Sequence, residues 1–147
     1  MKAMLLFVFL GIFVCTSARA AAGLVSVASQ NDVQRTVELL KKKATTFGFD
    51  VVLILDNGSK TKNRKAGKLL LLDNPKHEWP LLSKSETIGI DLPLKVLTFS
   101  DKDGQVWMTY TDPRSIAARH NVSDSDEAEK LADALSSLTL LAATSKR

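Results

Sequence analysis

Three residues near the C-terminal third of the chain contain the groups of a hydrolytic triad: Asp112, Ser115 and His120. A serine nucleophile needs an imidazole within hydrogen-bond reach, and that imidazole needs a carboxylate on its other nitrogen. Ser115 and His120 are five positions apart, about 140° around a helix axis, so they do not face each other. A G-x-S-x-G motif is also absent. The pattern favours a structural role instead: Asp112 caps a short helix, and Arg119 and His120 pack or pair near its end.

A second group of polar residues flanks a predicted hairpin. Asp103-Gly104 is a two-residue turn signal between two apolar runs. A turn at these two residues gives facing positions whose numbers sum to 207, so that Lys95 opposes Asp112 and Leu97 opposes Tyr110. A Lys95–Asp112 ion pair would form the polar end of a pocket.

This geometry defines a set of candidate ligand-binding residues: Asp91, Lys95, Tyr110, Asp112 and His120. The alternative remains open that the same residues only fix the loop and the start of the helix. The sequence requires no cofactor and no catalytic residue under either interpretation.

A basic segment, residues 60–68, is the other candidate binding surface. Five positive charges fall within nine residues: Lys60, Lys62, Arg64, Lys65 and Lys68. Clustered cations attract acidic polymers such as sulfated glycans, but base stacking needs aromatic side chains, and the segment has none. The pattern therefore argues against nucleic acid as the partner. The alternative is an ordinary solvated loop.

The residue types also indicate whether the chain binds a metal ion and whether it can carry glycans. Beyond the first 20 residues the chain has only two histidines, His77 and His120, and no cysteine, which argues against a metal centre. Asn57-Gly58-Ser59 and Asn121-Val122-Ser123 are glycosylation sequons, and they count only in a eukaryotic source. We therefore predict glycans at Asn57 and Asn121 for that case alone.

The N-terminus has the pattern of a secretory signal peptide. Lys2 precedes the apolar run 4–15, and the small-residue stretch 16–20 ends in an A-x-A pattern. The run is too short for a membrane anchor, so we expect an extracellular protein, or a periplasmic one if the source is bacterial. Removing residues 1–20 leaves 127 residues with a net charge of +2 and no cysteine. These values predict one small domain over residues 21–147 that folds without disulfides.

The elements that position these groups follow from periodicity. A first strand at 24–28 precedes a helix that Asn31 caps with Gln34 as the reciprocal partner, and that Gly48 ends. A buried strand at 49–55, a strand at 69–72 and the hairpin strands 94–99 and 105–111 come next. A short helix starts at Asp112-Pro113. A last helix begins near Ser123, and its apolar face consists of Ala128, Leu131, Leu135 and Leu138. The order β-α-β-β-β-β-α predicts an α+β, two-layer domain with a mostly antiparallel sheet.

Four short motifs, in order, carry a family resemblance over roughly residues 24–142: Asp73-Asn74-Pro75-Lys76, the segment 89–97, Tyr110-Thr111-Asp112-Pro113, and Ala117-Ala118-Arg119-His120. Together they resemble the domain-of-unknown-function family numbered 302. The resemblance implies a curled antiparallel sheet packed on a long C-terminal helix, a TATA-binding-protein-like fold, and often a homodimer. It implies no established reaction.

Three functions remain open from the sequence. The first is a non-enzymatic secreted module that binds a ligand or a partner through the concave side of the curled sheet or through the basic segment. The second is an unrecognised enzyme that uses His120, Asp112 or Lys95. The third is a structural component of an extracellular matrix.

Overall fold

The computed structural model describes residues 23–56, 67–122 and 124–145. Its strands are β1 (Leu24–Ser29), β2 (Asp50–Asp56), β3 (Gly67–Asp73), β4 (Leu94–Ser100) and β5 (Val106–Thr111). Its α-helices are α1 (Val33–Lys43), α2 (Pro75–Lys84), α3 (Pro113–Arg119) and α4 (Asp126–Thr144). Two 3₁₀ turns, Ala44–Phe47 and Glu86–Ile90, join these elements. The predicted order and α+β class are confirmed; α3 is the short helix predicted at Asp112-Pro113, and α2 is a short helix between β3 and β4.

The five strands form one antiparallel sheet in the order β1-β5-β4-β3-β2. Its helix-covered face carries side chains that are fully buried, such as Leu70, Val96 and Met108. Alternate positions point to the other face, because successive side chains of a strand point in opposite directions. The domain therefore has two layers, with the sheet on one side and the helices on the other.

The long helix α4 closes the core, as the sequence predicted. Ala128, Leu131, Leu135 and Leu138 are 0–2% exposed, and α4 contacts β1 and the other three α-helices. Its first turn begins at Asp126 with Ser125 as the N-cap, slightly later than the predicted start near Ser123. The apolar face of α4 thus packs with β1 and the other three α-helices around a single core.

The cap of α1 differs from the prediction by one residue. Asp32, rather than Asn31, accepts the hydrogen bond from the Arg35 backbone at 2.7 Å. The Asn31 side chain instead donates to the carbonyls of Ala142 and Ser145 at the end of α4. Asn31 therefore joins the segment before α1 to the end of α4. This long-range contact takes the place of the capping hydrogen bond that was predicted for Asn31.

Strand β2 was predicted to be buried, and that prediction is wrong. β2 is the last strand of the described sheet, and Val52, Leu53 and Leu55 are 45–58% exposed. The register shifts between Val51 and Leu53, which marks a bulge at Val52. An apolar run alone does not distinguish a central strand from an edge strand, since both contain β-branched and aliphatic residues.

Candidate functional site

The hairpin register differs by one residue from the predicted one. Val96 pairs with Tyr110 and Ser100 with Val106, so facing numbers sum to 206. The Asp101 backbone N–H donates to the Gln105 carbonyl at 2.8 Å, and Gly104 adopts φ +88°. The loop thus has three residues, with glycine in the left-handed region, rather than two. A one-residue slip moves every side chain to the opposite face, so the predicted Lys95–Asp112 pair does not form.

The structure brings three of the five candidate ligand-binding residues together. His120 Nε2 lies 2.7 Å from Asp91 Oδ2, and Lys95 Nζ donates to the carbonyls of Asp91 and Pro93 at 3.1 and 3.2 Å. Arg119 also donates to both carboxylate oxygens of Asp91. The end of α3 therefore clamps the segment that leads into β4, in agreement with the predicted pairing of Arg119 and His120.

Thr87 completes this polar cluster. Its Oγ1 lies 2.9 Å from His120 Nδ1 and 3.0 Å from Ser85 Oγ. Hydroxyl, imidazole and carboxylate thus stand in the order known from hydrolytic triads. The contacts of His120 and Asp91 join the end of α3 to the 3₁₀ turn Glu86–Ile90 and to the segment that leads into β4. We therefore interpret this group, the Asp91–His120 cluster, as a structural clamp.

The other two candidate residues lie elsewhere. Tyr110 is 5% exposed on the helix-covered face and hydrogen-bonds Thr139 and Ser136 of α4. Burial raises the pKa of Tyr110, while these hydrogen bonds oppose that rise. Tyr110 is therefore a core residue.

Asp112 is the N-cap of α3, as predicted. Its carboxylate accepts from the Arg114 backbone at 2.9 Å and from the Arg114 guanidinium at 3.0 Å. Arg114 in turn donates to Glu129 of α4 at 3.1 Å. The role of Asp112 in this geometry is to start the helix and to join it to α4.

Of the predicted basic surface, the described residues include only Lys68. Its Nζ donates to Asp56 Oδ1 at 2.6 Å across the β2–β3 pair. Lys60, Lys62, Arg64 and Lys65 lie outside the described residues, as do Asn57 and the predicted signal peptide 1–20. Asn121, the other sequon asparagine, is exposed in the turn after α3 with φ +59°.

The described part of the chain contains neither a membrane-spanning helix nor a metal-binding group of side chains. None of its helices is both long and apolar enough to cross a membrane. Its His, Cys, Asp and Glu side chains form no group of three or more that could hold a metal ion.

Glu78 of α2 is a buried carboxyl group that the sequence did not identify. It is 3% exposed, and its Oε1 has no hydrogen-bond partner. The pKa of Glu78 is raised to about 8, chiefly by burial and also by the neighbouring Asp73, although backbone N–H groups of Asn74 and Leu94 lower it. With this pKa, Glu78 is mostly protonated near neutral pH, so the core contains a neutral carboxyl group.

The sheet surface opposite the helices is the remaining candidate site, and we name it the open face. By strand alternation it carries a set of mainly apolar side chains: Leu53, Leu55, Leu69, Leu71, Lys95, Leu97, Phe99, Trp107, Thr109 and Ser26. Leu53 and Leu55 are exposed, and the central aromatic residues are partly exposed. Sequence reasoning named the curled sheet as a binding surface but did not identify Phe99 and Trp107, because the wrong hairpin register would have placed them on opposite faces.

Comparison with known proteins places this geometry in a family. A crystal structure of an uncharacterized conserved protein DUF302 from Bacillus stearothermophilus shares the fold, with a TM-score of 0.65 and 18% identity. The alignment covers 84% of this chain and 97% of that one.

Two curated relatives are named fluoride-specific ion channel FluC 1. The protein from Brucella suis and the protein from Brucella abortus are each 34% identical to this chain over 110 residues, or 72% of it. That region makes up 43% of the first relative and 41% of the second, so this chain spans under half of their length.

The model of the family described as domain of unknown function DUF302 matches residues 25–138. The chain therefore belongs to the DUF302 family.

Proposed function

We propose that this chain is an exported, non-enzymatic binding module whose binding surface is the open face. One observation carries the proposal: the three central strands present Leu69, Leu97, Phe99 and Trp107 on a face that no described helix covers. Contiguous apolar surface on a folded domain marks an interaction site. The signal-peptide pattern of residues 1–20 supports export.

The size of the open face favours a small occupant. Five strands about 4.8 Å apart, each six or seven residues long at about 3.3 Å per residue, give a footprint of roughly 500 Å². A stable protein–protein interface buries about 800 Å² per partner. A second copy bound on this face alone would be held weakly. The homodimer that the family resemblance implies is thus a separate proposal, and it needs additional surface such as the exposed edge β2.

The relatives support a modular role. In the two Brucella proteins the region similar to this chain is joined to more than half a protein of other sequence. A domain that recurs inside longer proteins is suited to contribute binding rather than a complete activity. The channel activity in their names belongs to those proteins.

The proposal is tested on protein purified from its natural source. Native mass spectrometry should detect a retained molecule on the parent protein, and Leu97→Lys, at the centre of the open face, should lose it. Leu140→Lys is the matched control, because Leu140 is 58% exposed on α4. Thermal unfolding of both variants checks the fold. A parent protein without any retained molecule, or a Leu97→Lys variant that still retains it, would overturn the proposal.

A further inference from the structure

Two aromatic side chains lie directly opposite each other at one end of the open face. Phe99 of β4 pairs with Trp107 of β5. On the other side of Trp107, β1 contributes Ala28, which is exposed and provides only a methyl group. The two partly exposed rings are therefore adjacent, and no large side chain from β1 covers the indole.

The orientation of the indole is fixed by the hairpin loop. Trp107 Nε1 donates to Asp101 Oδ2 at 2.8 Å. The other carboxylate oxygen of Asp101 accepts backbone N–H groups from Asp103 and Gln105, each at 2.9 Å. A ring held in this way loses little conformational entropy when a ligand binds against it. Asp101 is thus a positioning residue for Trp107.

A shallow cavity of about 340 Å³ lies at this aromatic pair, lined by Ser26, Phe99, Asp101 and Trp107. The volume is at the low end of the range for small-molecule sites. Ser26 Oγ lies 2.8 Å from Thr109 Oγ1, and this pair is exposed. Each hydroxyl can take part in further hydrogen bonds, since a hydroxyl has one donor and two acceptor positions. The cavity thus combines two aromatic rings with a polar edge.

We propose that this cavity binds one pyranose ring of a neutral saccharide, an inference that rests on the proposed function of the open face. The C–H hydrogens on the face of a sugar ring carry partial positive charge and suit the negative face of an aromatic ring. The hydroxyl groups on the sugar's rim match Ser26 and Thr109, whereas a purely aromatic ligand would leave those two unmatched. Acidic sugars are disfavoured because the Asp101 carboxylate lines the cavity.

The two tryptophans of the chain, Trp79 and Trp107, allow a direct test. Trp79 is 68% exposed on α2, so Trp79→Phe leaves Trp107 as the only indole with little disturbance of the fold. This reporter variant is titrated with cellohexaose, maltohexaose, chitohexaose and, as an aromatic probe, benzyl alcohol. At least one saccharide should change the Trp107 emission in a saturable way, with a dissociation constant of about 0.1–10 mM for so small a site.

Two variants in the reporter background assign the effect to the cavity. Phe99→Leu keeps an apolar residue but removes one ring, and it should weaken saccharide binding at least tenfold. Leu55→Ser changes the same face at the far edge and should bind like the reporter. The proposal is overturned if no saccharide titrates Trp107, if only benzyl alcohol does, or if Phe99→Leu binds as well as the reporter. If saccharides fail while Leu97→Lys still loses its retained molecule, the open face remains the binding surface and only the ligand class is wrong.

Discussion

His120 Nε2 lies 2.7 Å from Asp91 Oδ2, and this contact joins the end of α3 to the segment that leads into β4. The His120 side chain is 10% exposed and that of Asp91 is 22% exposed. A hydrogen bond to a charged group at this depth stabilises a fold by about 1.5–3 kcal/mol. The Asp91–His120 cluster should therefore contribute measurably to stability.

Asp91→Ala should lower the free energy of unfolding by about 1–3 kcal/mol, because it leaves His120 Nε2 without its carboxylate. Arg119→Ala is the control: the Arg119 side chain is 53% exposed, and exposed ion pairs contribute about 0–1 kcal/mol. Urea unfolding of both variants measures the difference. Equal losses in the two variants would mean that the exposed Arg119–Asp91 pair, and not the His120–Asp91 contact, provides the stability of the cluster.

Glu78 should make the protein less stable as the pH rises. Its folded pKa of about 8 exceeds the ordinary value of 4.5, so the folded state retains a proton that the unfolded state has released. The stabilisation is complete below about pH 4.5 and is lost as the pH rises through 8. Between pH 6 and pH 9 the loss should be about 3 kcal/mol, because two of these pH units lie between the unfolded and the folded pKa.

Urea midpoints at the two pH values measure this effect. Glu78→Gln mimics the protonated form and should remove most of the pH dependence. Glu86→Gln, at an exposed position, should keep the dependence of the parent. A parent protein equally stable at pH 6 and pH 9 would show that Glu78 titrates normally.

Leu135 is fully buried between α4 and the sheet. Truncation to alanine should cost about 2–5 kcal/mol, because it leaves a cavity in the core. Leu140, on the exposed side of the same helix, should lose less than about 0.5 kcal/mol when it is truncated in the same way. Denaturant unfolding of the two variants gives the comparison, and similar losses would mean that α4 does not close the core.

The mature N-terminus should be Ala21 or lie within two residues of it. Ala18 and Ala20 provide the small side chains that a signal peptidase accepts. Intact-mass measurement of the exported protein determines this position, and the same spectrum shows whether Asn121 carries a glycan. Exported protein that still begins at Met1 would refute the signal-peptide prediction.

The basic segment should dominate attraction to a sulfated or phosphate resin. Changing Lys62, Arg64 and Lys65 to glutamine should lower the salt concentration at elution, since exposed charges act over roughly 8–10 Å at physiological salt. Changing the three lysines 41–43 of α1 to glutamine removes the same charge elsewhere and should have less effect. Lys68 should contribute little, because Asp56 already accepts its hydrogen bond. Elution of both triple variants at one salt concentration would mean that net charge alone decides retention.

The element order and the face of α4 could be predicted because their signals are local. Periodicity needs only a few turns of sequence, and Gly48 and Asp112 act on their own neighbours. The hairpin register could not be predicted from Asp103-Gly104, because glycine in the left-handed region occurs in both two- and three-residue loops. That single residue of loop length determines which side chains occupy the open face.

The candidate site was predictable only in part. Arg119 and His120 are neighbours at the end of a helix, so a carboxylate partner was a reasonable expectation. Thr87, however, reaches His120 across 33 positions of sequence, and no motif marks it. Glu78 looks like an exposed helix residue until the packing of α2 buries it. Contacts between distant segments depend on tertiary packing, which sequence patterns do not specify.

The pairing of β1 with β5 has a consequence for how an exported chain assembles. Strands β2 to β5 each pair with a neighbour in sequence, whereas Leu24 pairs with Thr111. Closing so long a loop is entropically costly and slows folding. A chain that crosses a membrane N-terminus first would deliver β1 long before its partner strand emerges. Its first strand would stay available to translocation factors and chaperones until β5 has arrived.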